Sequence, residues 1–528
     1  MTSVNSEPYA FQSSGSEPII PVSKPKKWDL EADFVVVGGG GSGLSAGAKL
    51  AMGKASVIIL EKMDDFGGAS QHSTNAHGTA TKAVARAGLE FDENQLVAMT
   101  LSMDNFRPNE RFFRYLTHKG SEVLDWMEDN GMEWDVSAEW GIPAHQPKGV
   151  FTRRWLRPQR ETCEFLYKLA EKHGAKIILN APAMTLVKDN GRIVGVKAMV
   201  DGKPTFVGGK KAVILAAGSM SQNRDMLKKY IPWAADDCAS SYDMPGNTGD
   251  CIRMGQGVDA DIAGFNSFCV FEAGLPYYEE GKGPWNVYLY RGDIQLARQA
   301  WMWINRACER FVNEYAVGPG YVTAAIAGMN QPGHDYFVVF DGNYEKDIYK
   351  FNLPFCKFPL SEKLAGMDVW EDDRWNCPRN WQDAVKEAFD LGMIKQSETL
   401  EGLANIIGLD PIKFKAEVEK YNGYCAKGED PDFGKPGDFL FPIMKAPFYA
   451  IRVKAQIVVT HCGLRVDDEM HVLDTKYHVI PGLYAAYHTA GGDLGENIVG
   501  LNPLGEVALA YTSGYVAAEA ALKEKSAW

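Results

Sequence analysis

Four apolar residues, Phe34 to Val37, run directly into Gly38-x-Gly40-x-x-Gly43, and a small-residue stretch through Gly47, Ala48, Leu50 and Ala51 follows. An unbroken apolar run of this length reads as a strand of a parallel sheet buried on both faces, and the glycines then open a helix. The three glycines allow, in turn, a tight turn, close backbone approach to a pyrophosphate, and close packing of helix on strand. A phosphate would sit on the helix N-terminus. The next strand, Ala55 to Leu60, ends in Glu61, 18 residues after Gly43, where an acid can accept hydrogen bonds from the ribose hydroxyls of an adenine dinucleotide. A lone glycine triplet is commonly an ordinary turn. With both strands, the helix and the acid in register, the segment predicts the first half of a Rossmann-like unit that binds a dinucleotide.

A chain of 528 residues exceeds the roughly 250–300 that one hydrophobic core serves, so two domains are expected, and 45% apolar content is enough to fill them. The purely apolar runs, such as Ala212 to Ala217, fall far short of the ~20 residues of a membrane helix, and no membrane span is expected. Net charge is −13 with scattered basic residues, which leaves no footprint for nucleic acid. Nine cysteines show no CxxC pairing of zinc or iron–sulfur sites and no CxxCH of covalent haem. They read as buried thiols, so electrons must come from a diffusible donor or go to a diffusible acceptor. Residues 1–28 are rich in Ser, Pro, Glu and Lys without an apolar secretory segment, and are expected to be a flexible tail on a cytoplasmic protein.

The loop after Glu61 decides which dinucleotide. Lys62-Met-Asp-Asp-Phe-Gly67-Gly68-Ala69-Ser70 places a second glycine pair where a nicotinamide-binding domain would continue into a helix, and a flavin fits better. Glu-Lys-x(4)-Gly-Gly-x-Ser resembles the FAD-binding half of the fumarate reductase and succinate dehydrogenase flavoprotein family, which includes the 3-ketosteroid dehydrogenases. The resemblance implies an α/β fold: a Rossmann-like FAD-binding domain with an inserted α+β capping domain. The boundaries expected are residues 1–28 for the tail, 29–257 and 436–528 for the FAD-binding domain, and 258–435 for the cap.

The same resemblance supplies cofactor contacts. Gly67, Gly68, Ala69 and Ser70 stand where the family has Gly-Gly-Asn-Thr, and Asn75 and Ala76 lie in its small-residue loop. His72 invites a covalent-flavin reading, but the register does not match, and an ordinary polar loop histidine is expected. The strand series Lys176–Leu179, Gly191–Lys197 and Ala212–Gly218 is similar to the family's closing of the FAD domain, with Ala183 meeting adenine through its backbone and Gly218 passing close to the cofactor. Asn247-Thr-Gly-Asp250 and Ile304-Asn-Arg-Ala-Cys-Glu-Arg310-Phe-Val-Asn313-Glu314 also match family patterns, as does the closing segment Pro447 to Gly492. His488 replaces the glutamate usual after Tyr-Ala-Ala-Gly and would hydrogen-bond the cofactor instead. Asn502 as N-cap with Pro503 at N1 predicts a helix that starts at Pro503, takes in Leu504 and runs to Glu524. In the family its N-terminus stabilises reduced flavin.

Four cations that hold a dicarboxylate in the family are missing: their positions carry Gly318, Val459, Leu494 and Ile498. An unpaired dianion buried there would cost several kcal/mol, which argues against fumarate and succinate. The aromatic inventory suits a flat, uncharged ring with one or two polar handles. Tyr321, His461, Tyr242, Tyr290 and Tyr315 are the candidate proton-handling residues, although a tyrosine is more often a core or cap aromatic. A histidine such as His461 that titrates near neutrality suits proton transfer. The resemblance therefore implies an FAD-dependent oxidoreductase that moves hydride between flavin N5 and an uncharged cyclic ketone or enone. The alternatives are a polyphenol or isoflavonoid reductase like tetrahydrodaidzein reductase, a reductase of another unsaturated acid, and an electron-transfer flavoprotein without small-molecule turnover.

Overall fold

The structure is a computed structural model that describes residues 15–528 except 74, 105, 140–141, 149–157, 242, 275–295, 316–320, 351, 354–355, 358–380 and 493–502. The chain forms two compact units, one of residues 1–232, 243–269 and 459–528, the other of 233–242 and 270–458.

The first unit is built on a parallel sheet. Leu30–Val37 pairs on one side with Val57–Leu60, which in turn pairs with Lys176–Ile178. On its other side it pairs with the end of Lys203–Leu215, and that strand pairs again with Val479–Ala485. The strands alternate with helices, and Phe34, Val35, Val36, Ile59, Val213 and Ile214 are buried, as the two-sided apolar runs require. The helix Gly41–Met52 packs on the long closing helix Gly505–Ala521. At Gly43 a Cβ would lie 1.9 Å from the Gly38 carbonyl oxygen, and at Gly514 one would lie 2.0 Å from the Ser42 oxygen. Small residues are what let these backbones approach. The α/β, Rossmann-like architecture inferred from the glycine signature is present.

The expected flexible tail is part of this unit from residue 15 onward. Ile19 donates its N–H to the Arg253 carbonyl, Val22–Ser23 adds a strand beside Ala183–Asp189, and Trp28 stacks on Trp528 with ring centroids 5.6 Å apart. Polar composition hid three anchors that are tertiary.

The second unit holds a mixed sheet in which Phe448–Thr460 pairs with Cys238–Ser241, Tyr336–Phe340 and Ile394–Ser397. Its core, including Phe337, Val339, Leu403, Phe414, Val418 and Tyr421, packs the helices Leu400–Ile407 and Pro411–Lys427 onto that sheet. The unit extends to 458, past the 435 read from composition, because the strand from Phe448 belongs to its sheet. The helix pair is joined by Gly408 in a left-handed turn and by Asp410, whose carboxylate accepts from the N–H groups of Ile412 and Lys413. Lys415 Nζ bonds Glu401 across the turn between the two helices at 2.6 Å.

The Asn-Glu motif of this unit turns inward. Arg310 makes paired hydrogen bonds to Glu314 (2.9 and 2.8 Å) and to Asp430 (3.1 and 2.9 Å). Lys435 lies 3.5 Å from Glu314 and donates to the Ala300 carbonyl at 2.6 Å and the Tyr421 hydroxyl at 3.1 Å. All four charges are buried. Burial works against the charged Arg310, but Glu314 and Asp430 outweigh it and hold the guanidinium protonated.

Candidate active site

The turn after Val37 opens a cleft within the first unit. Gly38, Gly40, Glu61, Lys62, Gly68, Ala69, Ser70, Ala183, Gly218, Asp250 and His488, all candidates of the sequence reading, line it. The glycines divide by role. At Gly38, with φ +109°, a Cβ would sit 2.3 Å from the Ala216 carbonyl, so the protein itself demands glycine. At Gly40 nothing of the protein lies nearer than 3.9 Å. Packing leaves Gly40 unexplained, and a ligand approaching this backbone explains it. Gly40 is also the N-cap of Gly41–Met52, and the helix's first residues, Gly41 and Ser42, line the cleft, the kind of place where a helix N-terminus suits an anion.

Glu61 accepts the N–H of Gly39 on one oxygen (2.6 Å) and that of Met63 on the other (2.7 Å). Burial pushes its carboxyl up, against those N–H groups and Lys62. These two bonds fix the carboxylate on the cleft wall with lone pairs left for a ribose. Lys62 reaches Thr248 at 2.6 Å and Asp250 at 2.9 Å. The residues fit an adenine dinucleotide: a helix N-terminus for the pyrophosphate and an acid for the ribose.

Other expected positions fall elsewhere. Gly43 serves helix packing, and Gly67, φ +98°, donates its N–H to the Gly39 carbonyl. Asn75 is bonded to Gln146, Ala76 sits in the short strand Ala76–His77, and His72 is buried in the 3₁₀ turn Gly68–His72. Asn502 lies outside the described residues. The closing helix begins at Gly505 with Leu504 as its N-cap, and ends at Ala521. Leu504 is buried and its carbonyl accepts the His77 N–H.

Of the proton-handling candidates, Tyr242 and Tyr290 lie outside the described residues, as do Gly318, Leu494 and Ile498. Tyr321 opens the helix Tyr321–Met329. Tyr315 stacks on Phe439 with centroids 4.3 Å apart, the packing role expected of a cap aromatic. His461 is fully buried beside His488 and beside Tyr487 and Glu506, the last two passed over by pattern reading. Its Nε2 is 3.6 Å from Glu506 Oε1, while Glu506 Oε2 lies 3.1 Å from His488 Nε2 and accepts the Tyr487 hydroxyl. The two imidazoles meet edge to face, centroids 4.9 Å apart. Burial lowers both histidines to about 3, so His461 does not titrate near neutrality as its residue type suggests. Burial raises the Glu506 carboxyl. Both imidazoles are uncharged at neutral pH.

Against known families, the FAD binding domain model matches residues 33–509. The chain belongs to this family. It is an FAD-dependent oxidoreductase of the fumarate reductase family, with FAD as its cofactor. Among curated relatives, it is 28% identical to the NADH:acrylate oxidoreductase of Vibrio harveyi over 77% of the chain and 36% of that protein. It is 26% identical to the vinyl phenol reductase of Lactiplantibacillus plantarum over 88% of the chain and 91% of that protein. The chain thus spans about a third of the first and nearly all of the second. Among solved structures, a 3-ketosteroid Δ1-dehydrogenase from Sterolibacterium denitrificans superposes with TM-score 0.71 (19% identity, 93% of this chain and 99% of that one). A flavocytochrome c3 fumarate reductase gives 0.68 (23%, 94% and 79%). Among the described residues no helix is long and apolar enough to cross a membrane.

Proposed function

We propose that this oxidoreductase, acting on CH–CH groups, takes an uncharged cyclic ketone or enone. The cofactor supplies or accepts a hydride at N5, and the protein supplies the proton and excludes charge. The observation that carries the reading is the absence of positive charge where the dicarboxylate enzymes place it. Val459 is a buried valine, and the neighbouring His461 and His488 are held neutral by burial. A dianion brought beside neutral imidazoles and a carboxyl would lose its hydration without gaining a counter-charge.

The vinyl phenol reductase, matched over 91% of its length, favours a second reading, reduction of a side-chain double bond on a phenolic ring. Both readings call for a neutral, flat substrate. Tyr321, nominated by the family resemblance, is proposed as the phenol that polarises a ring carbonyl. Its test is Tyr321→Phe, which keeps the ring and removes the hydroxyl. Enone turnover should fall about 10² to 10⁴-fold with FAD content unchanged. Unchanged turnover would remove Tyr321 from the mechanism.

A further inference from the structure

The reading above needs a proton as well as a hydride, and His461, neutral and buried, is not a standing acid. Glu506 completes it. The carboxyl Oε2 has two neighbours, the Tyr487 hydroxyl and His488 Nε2 at 3.1 Å, while Oε1 is buried with no hydrogen bond and faces His461 Nε2 at 3.6 Å. An ionised carboxylate would leave a full charge on Oε1 without a donor, beside two neutral imidazoles. A neutral carboxyl satisfies both ends. Oε2 accepts from the Tyr487 O–H and the His488 Nε2–H, and the proton on Oε1 points at the His461 ring.

The groups that face this carboxyl come from several elements. Tyr487 and His488 lie on the 3₁₀ turn Tyr487–Thr489, and His461 lies just after the strand Phe448–Thr460. Behind His488 stands Asp243, tied by hydrogen bonds to Ser219 (2.5 Å), Ser221 (2.6 Å), Asn247 (2.5 Å) and the Met244 N–H (2.8 Å). His77 approaches the helix start, where a Cβ on Gly505 would meet its Nδ1 at 2.9 Å. Two of its members, Tyr487 and His488, line the dinucleotide cleft.

We propose that Glu506 is a one-proton store feeding His461, which passes the proton on to the substrate in the reduction direction. The step balances with reduced FAD as the hydride source: the double bond takes a hydride at one carbon and a proton at the other. That proton leaves His461 Nδ1, the Glu506 Oε1–H bond breaks as a new bond forms at His461 Nε2, and the site resets when a proton taken up from solvent returns to Nδ1 and the Nε2 proton goes back to the carboxylate. The 3.6 Å gap is longer than a hydrogen bond, and such contacts commonly tighten once substrate is bound. His461 is thus the proton donor, and Glu506 a positioning residue that acts through it.

The inference deepens the proposed reaction, and its test separates the two. Infrared spectra of the substrate-free holoenzyme at pH 7 should show the C=O stretch of a protonated carboxyl that disappears in Glu506→Gln and returns in Glu506→Asp. No such difference would overturn the proton store whatever the substrate is. In reoxidation by an enone, Glu506→Gln and His461→Gln should each slow the reaction about 10² to 10⁴-fold, and the double variant should be no slower than the worse single one. Multiplying effects would overturn the relay, even with the neutral carboxyl established. If wild-type enzyme reduces no enone while the band is present, the substrate reading fails and the store stands.

Discussion

Two buried charge clusters, one in each unit, meet the same physical problem in opposite ways. Arg310, Glu314, Asp430 and Lys435 sum to zero charge, and each head group has hydrogen-bonded partners. Burial pushes Asp430 up, but the Arg310 guanidinium outweighs it and holds the carboxyl below its usual range. Charges so paired do not exchange protons. In the cleft unit, Glu506, His461 and His488 have no cation among them, and burial drives all three toward their neutral forms. Charge paired with opposite charge fixes a structure, whereas buried titratable groups driven toward their neutral forms keep a proton in play.

The contrast is sharpest in what a deletion does. Arg310→Ala leaves Glu314 and Asp430 as buried, opposed carboxylates, and should destabilise the second unit by about 3 to 5 kcal/mol, read as a large fall in its melting transition. If the variant melts like the wild type, the quartet is not the anchor described here.

Acid should distinguish the clusters next. Between pH ~4.5 and ~6.5 the unfolded chain protonates both histidines and ionises the glutamate, whereas the folded cluster keeps one proton on Glu506. The unfolded chain is then ahead by about one proton toward the lower end of that window, so stability should fall by about 1.4 kcal/mol per pH unit on acidification. In His461→Gln/His488→Gln only the raised carboxyl remains, and this contribution should change sign. Denaturant melts across the window check it, and equal slopes in the two proteins would mean the imidazoles are not buried neutral. The paired Asp430 acts only further down, its contribution being lost as the pH falls through its lowered folded value.

Gly40 and Gly43 give a smaller contrast inside one motif. Gly43→Ala drives a Cβ into the Gly38 carbonyl and should cost about 1 to 3 kcal/mol of stability. Gly40→Ala, with 3.9 Å of clearance, should leave the apoprotein's melting unchanged and weaken FAD about tenfold or more, the loss expected for ~1.4 kcal/mol of obstructed contact. Undiminished FAD affinity in Gly40→Ala would take the pyrophosphate away from this turn. Smallest of all, Lys415→Ala removes an exposed bond to Glu401 and should leave melting within error.

These cases also mark what a sequence can show. The Gly38–Gly43 turn, Glu61 and the strand, turn, helix and strand around them were legible because local geometry dictates residue type there. The cofactor followed from the second glycine pair. The proton store was not legible: residues 461, 488 and 506 meet only through tertiary packing, and Glu506 on the line of a helix reads as surface charge. His461 was found, but its charge state depends on burial that spacing does not encode. The run of the second unit to 458 was not legible for the same reason, since the strand Phe448–Thr460 joins its sheet by pairing with the distant Tyr336–Phe340 and Cys238–Ser241.

The central claim is that the site carries no charge for a dianion and works on a neutral ring. Its most direct test is anaerobic reoxidation of photoreduced holoenzyme by a panel of steroid enones, vinyl phenols, isoflavonoids and fumarate, followed by flavin absorbance. The account predicts that a neutral cyclic or phenolic acceptor restores the oxidised spectrum while fumarate leaves it reduced. Reoxidation by fumarate at a rate near that of the best neutral acceptor would contradict it.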